Sequence, residues 1–336
     1  MKKQARFWEP IDNNIVQCFL CPHQCKISEG RIGLCGVRKN ENGKLYSLIY
    51  SLCSSVHEDP IEKKPLYHFY PGSTVLSLGS VGCNFYCDHC QNHEISRADP
   101  EDIHLREVPP EMAVDLAKKH GCRGIAWTYN EPSIWHEYCI DTAKLAKESN
   151  LYTVYVSNGY LNEDPLKEIS KYLDAINIDV KAFKEDFYKR ICNARLAPVL
   201  STCEIAKNLG IHVEITYLVI TGKNDSTYEI DKFCKWVIEK LGPDTPVHFS
   251  RFHPDYKMKD VPSTPIETLV RIYNQAKNHD ILYPYIGNVP HGEYETTKCP
   301  SCGNRLIERY GFSSQIIGLN NGKCSKCNRN IPIITD

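Results

Sequence analysis

Eleven of the chain's seventeen cysteines fall into three tight groups, and the spacing within each group limits what the surrounding backbone can become. The groups are Cys18, Cys21, Cys25 and Cys35; Cys83, Cys87 and Cys90; and Cys299, Cys302, Cys324 and Cys327. Residues 1–7 are not followed by the apolar core of a signal peptide, so nothing marks the chain as secreted. Where thiols are kept reduced, clustering at ligand spacing reads as metal binding, and a disulfide reading of the middle group fails because three is odd. The other six, Cys53, Cys122, Cys139, Cys192, Cys203 and Cys234, are scattered and read as small buried residues.

The middle group has the spacing C-x3-C-x2-C on a loop just after the apolar run 74–78. Three thiolates can wrap three corners of a cubane [4Fe-4S] cluster and leave the fourth iron without a protein ligand. An iron with an open position can bind a small molecule and pass it an electron. A structural zinc ion would close its shell instead, and His89 and His93 are near enough in sequence to supply the fourth ligand. The first group, C-x2-C-x3-C-x9-C, offers four thiols for one closed site, with zinc the first choice and an auxiliary Fe-S cluster the alternative. The third is two C-x2-C knuckles separated by twenty-one residues, a zinc-ribbon spacing for which rubredoxin-like iron is the competitor.

Lys+Arg 40 against Asp+Glu 41 leaves a formal charge of -1, which gives no global electrostatic case for nucleic acid or membrane. No apolar run approaches the ~18 residues of a spanning helix, and the expected location is cytoplasmic. The chain divides into a loop-rich four-cysteine segment over 1–72, a core over 73–290 and a ribbon-like module over 291–336. In the core, apolar runs predict strands over 75–78, 124–128, 153–157, 175–179, 213–219, 247–252 and 283–286. Between them, amphipathic stretches predict helices over 110–119, 133–148, 165–172, 199–209, 228–241 and 266–278. Such alternation is the signature of right-handed crossovers and a parallel sheet, either a barrel or a doubly wound α/β fold.

Polar residues recur just past the strands: the three cysteines, then Asn130 and Glu131, then Ser157 and Asn158, then Asp179 and Lys181. They would share the carboxyl edge of the sheet, where α/β proteins place their active sites. Each has a plainer reading as well. Asn-Glu-Pro-Ser over 130–133 suits a helix start, Asn158-Gly159 is a turn signal, and Asp179 with Lys181 can be a structural ion pair.

The cysteine motif resembles that of the radical S-adenosylmethionine (SAM) superfamily, in which the open iron is chelated by the methionyl amino and carboxylate groups. The resemblance implies a partial (β/α)6 TIM-like barrel with an open side. It also implies reductive cleavage of SAM to methionine and a 5'-deoxyadenosyl radical that takes a hydrogen atom from a substrate. On that pattern Glu131, with Asn130, would accept hydrogen bonds from the methionine ammonium. Ser157 and Asn158 would hold its carboxylate or the ribose, Lys181 would bind the carboxylate, and Asp179 would hold that lysine ammonium or a ribose hydroxyl. His253 would contact SAM, and His89, where an aromatic residue is common, would lie near the adenine. A flavodoxin or ferredoxin-type reductant and an oxygen-poor cell are further implications.

Segment 59–69 resembles the pyruvate formate-lyase-activating-like branch, and 18–25, 285–289 and the terminal ribbon narrow the resemblance further. The whole chain is similar to the radical SAM component of the AmmeMemoRadiSam system, which is associated with AMME-chromosomal-region-like and Memo-like proteins. This implies hydrogen abstraction from a macromolecule or metabolite in company with those two proteins. A glycyl-radical-enzyme activase is the alternative, weakened because 92–110 contains no cysteine-rich ferredoxin insert. A non-enzymatic, metal-stapled adaptor would use the ribbon's basic residues (Lys298, Arg305, Arg309, Lys323, Lys326, Arg329) to dock RNA or protein, but it leaves the cysteine triad unexplained.

Overall fold

A computed structural model describes residues 2–12, 14–289 and 292–335. Its centre is a sheet of seven parallel strands: β1 (Thr74–Gly79), β2 (Gly124–Trp127), β3 (Tyr152–Ser157), β4 (Ala175–Asp179), β5 (His212–Val219), β6 (Val247–Arg251) and β7 (Pro284–Gly287). They neighbour one another in chain order, and Ser55–Pro60 adds an antiparallel strand outside β1. Among the described residues no pairing joins β7 to Ser55–Pro60, so the sheet curls without closing. Six helix-bearing crossovers and one further strand make this the open (β/α)6 barrel that the alternation and the resemblance led us to expect.

The strands are short apolar runs because helices cover their outer face while side chains fill the inner one. Every residue of β2 is buried, as are all of β1 except Thr74. The covering helices are α1 (Pro110–Lys119), α2 (His136–Glu148), α3 (Glu163–Ile169), α4 (Leu196–Asn208), α5 (Thr227–Trp236) and α6 (Ile266–Asn278). Helix α6 buries Leu269, Ile272 and Ala276, one stripe at helical spacing, and each fully buried Leu or Ile contributes about 1.5–3 kcal/mol. Helices α3 and α4 start two and three residues ahead of the predicted bounds. Asn162 begins α3 ahead of Pro165, with Glu163 and Asp164 in the first turn, and α4 starts at Leu196 because Pro198 is tolerated in a first turn. Among the described residues no helix is long and apolar enough to cross a membrane.

The 1–72 segment holds more sheet than its loop-rich sequence suggests. Lys3–Gln4, Lys44–Ser47 and Arg38–Glu41 form one three-stranded sheet, and Trp8–Ile11, Ile15–Cys18 and Lys26–Ile27 form another. Asn42 and Gly43 both have positive φ and make the tight turn between Arg38–Glu41 and Lys44–Ser47.

The ribbon packs against the seam between the barrel's two edges. Residues Tyr67 to Tyr70 and the ribbon meet there: Ile334 N donates to His68 O at 2.8 Å, Tyr70 N donates to Ile334 O at 2.7 Å, and His68 Nδ1 lies 3.0 Å from Pro332 O. Arg309, 1% exposed, donates to Tyr67 O at 2.6 Å and to Glu295 O at 2.9 Å, and stacks its guanidinium over the Tyr67 ring.

Candidate active site

The three middle cysteines sit on the loop that leaves β1, and four neighbours hold that loop. Asn130 accepts from Ser80 N at 3.0 Å and donates to Gly82 O at 3.1 Å. Tyr86 N and Asp88 N donate to Cys192 O and Ile191 O, carbonyls of a π-helical turn (Tyr188–Cys192) in the crossover after β4. Asn84 donates to Tyr160 O at 2.9 Å, past the end of β3. Gly82 has φ +82°, and a Cβ there would lie 2.5 Å from Cys35 O, so only glycine lets the loop press this closely on the N-terminal segment.

A cavity of about 610 Å³ opens at the carboxyl edge, and Cys83, Cys87 and Cys90 all line it. With them stand His89, Asn130, Glu131, Ser157, Asn158, Asp179 and Lys181. Continuous parallel pairing makes this convergence possible: Trp127 lies opposite both Leu78 and Tyr155, Ser157 opposite Ile178, and Asp179 opposite Thr216, so neighbouring strands end close together along one edge.

Glu131 is a buried brace. Its Oε1 accepts from Ser133 N at 2.9 Å and Ser157 Oγ at 2.8 Å, and its Oε2 accepts from Asn158 N at 2.8 Å. The plainer reading of this segment as a helix start is therefore also true. A carboxylate offers about four acceptor directions, which leaves one for a ligand. Burial raises its pKa while those donors oppose the rise. Asn130 spends its amide on the loop and so positions the cysteines. Asn158 Nδ2 donates to Asn84 Oδ1 at 2.8 Å and lies 3.7 Å from Cys83 Sγ.

Lys181 pairs with Asp179 through Oδ2. Burial alone would lower the lysine's pKa, but Asp179 and Cys87 override it and hold the ammonium charged. Asp179 Oδ1 and both ring nitrogens of His89 are buried without a partner. Burial lowers the His89 pKa to about 3, so the imidazole is neutral. Unmet polar atoms in a cavity wall are costly unless a ligand satisfies them. This donor set fits a polar, zwitterionic co-substrate beside a cluster.

His253 is exposed and is not among the residues lining the cavity, but it contacts Nε2 of Gln91, which does line it, at 3.2 Å. Strand β6 ends at Arg251, and it is His248 and Ser250, on the inward-facing alternation, that line the cavity. Also unforeseen were Lys64, Glu295 and Phe312, the last two from the ribbon side of the seam. Lys64, 1% exposed, bonds Asp59 at 2.7 Å, and burial lowers its pKa to about 8. Long-range packing brings these residues in, so no local signal marks them.

Cys192, expected to be an ordinary buried residue, is buried and does not line the cavity. Cys192 beside Cys87, together with burial, holds the Cys87 thiol well above the ordinary range; burial does the same to Cys83. In the ribbon, the sulfurs of Cys299, Cys302, Cys324 and Cys327 all lie within 4.8 Å of one another. Cys18, Cys21, Cys25 and Cys35 line a separate, smaller pocket.

A family model described as the radical SAM superfamily matches residues 78–234. An uncharacterized protein of Methanocaldococcus jannaschii is 47% identical over 334 residues, 99% of each chain. The pyruvate formate-lyase-activating enzyme of Clostridium pasteurianum is 24% identical over 200 residues, covering 54% of this chain and 80% of that one. Among solved structures, Streptococcus suis SuiB bound to S-adenosylmethionine is similar in fold, with a TM-score of 0.51 at 13% identity over 64% of this chain and 52% of that one.

Proposed function

Because the chain belongs to the radical SAM superfamily, and is therefore an enzyme that uses a [4Fe-4S] cluster and SAM, we propose that it abstracts hydrogen from a macromolecule or metabolite bound at the barrel's open side. The observation that carries this reading is the meeting of Cys83, Cys87 and Cys90 with unmet polar atoms of His89 and Asp179 in one cavity. When bound, the cluster and SAM supply one-electron cleavage to methionine and a 5'-deoxyadenosyl radical.

The chain's residues bind and orient. Cys83, Cys87 and Cys90 hold three irons. Glu131 offers its remaining acceptor direction to the methionine ammonium, and the charged Lys181 attracts the carboxylate. Asp179 accepts from a ribose hydroxyl, Asn158 takes a ribose hydroxyl or the carboxylate, and His89, neutral and buried, faces the adenine. A flavodoxin or ferredoxin-type protein supplies the electron, and AMME-chromosomal-region-like and Memo-like proteins act with this chain; both assignments come from the resemblance. The ribbon thiols hold zinc: Cys299–Cys327 and Cys302–Cys324 are 3.5 and 3.6 Å apart, near the ~3.8 Å that Zn–S bonds of about 2.3 Å impose on a tetrahedron.

Anaerobically reconstituted protein given dithionite and SAM will release 5'-deoxyadenosine, and Cys87→Ala will abolish the release. Unchanged turnover in that variant sinks the proposal. The second reading, activation of a glycyl-radical enzyme, draws on the relative named as a pyruvate formate-lyase-activating enzyme. It requires a glycyl-radical signal to appear in a partner protein.

A further inference from the structure

The three cysteine groups differ in how far apart their sulfurs stand. Among the described residues, only the ribbon quartet brings three or more metal-ligating atoms within 4.8 Å of one another. The Cys83, Cys87 and Cys90 triad, whose thiols each bind a different iron, does not. Cys18, Cys21, Cys25 and Cys35 line a single pocket, yet, as in the triad, no three of their sulfurs lie within 4.8 Å of one another. A single tetrahedral ion draws its thiolates to about 3.8 Å from one another, whereas a cubane presents four separate irons.

The rest of the pocket suits a cluster. Its wall is mainly apolar, with Leu20, Ile27, Leu34 and Ile134. Its one cation, Arg38, is 1% exposed and pairs with Glu137 at 2.5 Å, while its Nε is buried, has no partner and belongs to a side chain that lines the pocket. A cluster held by four thiolates is anionic, and sulfur accepts weak hydrogen bonds, so the unmet Nε–H has something to meet.

We propose that Cys18, Cys21, Cys25 and Cys35 hold a second [4Fe-4S] cluster with all four irons ligated by protein. It sits against the back of the first cluster's loop. Cys35 O abuts Gly82, His23 Nε2 lies 2.8 Å from Asn84 O, and Tyr86 OH donates to Leu34 O at 2.7 Å.

The test does not depend on SAM cleavage. A full-length variant carrying Cys83→Ala, Cys87→Ala and Cys90→Ala is reconstituted anaerobically with iron and sulfide, then examined by metal analysis and Mössbauer spectroscopy. We expect ~4 irons per chain in a [4Fe-4S] cluster indifferent to added SAM. Zinc at this site with no cluster iron overturns the proposal. A Cys18→Ser, Cys21→Ser variant provides a second measure. It should lose half the iron and keep a cluster whose electron paramagnetic resonance signal responds to SAM, whereas full iron content overturns the proposal. A missing SAM-responsive signal in that variant counts against the active-site reading instead.

Discussion

Cys192 shows how a residue that looks unremarkable in the sequence can matter to a ligand beside it. It helps to raise the pKa of the Cys87 thiol, and its carbonyl accepts from Tyr86 N at 2.9 Å. Groups that orient a metal's ligands typically contribute 10–100-fold to affinity or activity. We predict that Cys192→Ala retains the triad's cluster iron and slows 5'-deoxyadenosine release by about tenfold. Loss of that cluster would instead make Cys192 a ligand. The cysteine groups themselves were legible because metal ligands recur at short spacing within one loop. His253 lies two residues past the end of β6, where the inward-facing alternation no longer applies. The unmet nitrogens of His89 could not be read at all, since they reflect what the surrounding elements leave unfilled.

Among the elements, β5 carries the most demanding polar residue. Glu214 is fully buried and takes four hydrogen bonds: from Tyr67 N at 3.0 Å and His68 N at 2.7 Å, and with His212 at 2.9 Å and His248 at 2.7 Å. Burial would raise its pKa, but the bonds to His212 and His248 override that and hold it well below the ordinary range. A carboxylate depressed in this way contributes stability that is fully present above its unfolded pKa, about 4.3, and is lost as pH falls through the folded value. Glu214→Gln should therefore cost about 3–5 kcal/mol at neutral pH, the scale for breaking a buried charged network. It should also flatten the loss of stability below about pH 4.3. Urea unfolding across a pH series measures both, and an unchanged acid limb would show that Glu214 is not the group responsible. The parallel strands and amphipathic helices were legible because their periods are regular over whole elements. The two- to four-residue strands before Ser55 were not, because so short a strand shows no alternation of its own.

At the scale of the molecule, the ribbon is part of the barrel's wall. Arg309 bridges it to Tyr67 and lies 3.9 Å from the buried Glu62. We predict that Arg309→Ala lowers the stability of the whole chain by about 3–5 kcal/mol in thermal melts, since it strands a buried carboxylate. A loss under about 1 kcal/mol would mean that the ribbon is merely tethered. This docking joins residues 242 positions apart, a pairing that no local pattern announces. Its consequence reaches the chemistry. The seam is sealed below by the ribbon, and above it Phe312, half exposed, stands at the lip of the catalytic hollow beside an arc of strands that never comes full circle. An organic radical survives only where bulk water and stray thiols are kept away. On the proposed reading, that last stretch of shelter would come from the visitor: the molecule being altered would itself serve as the stopper.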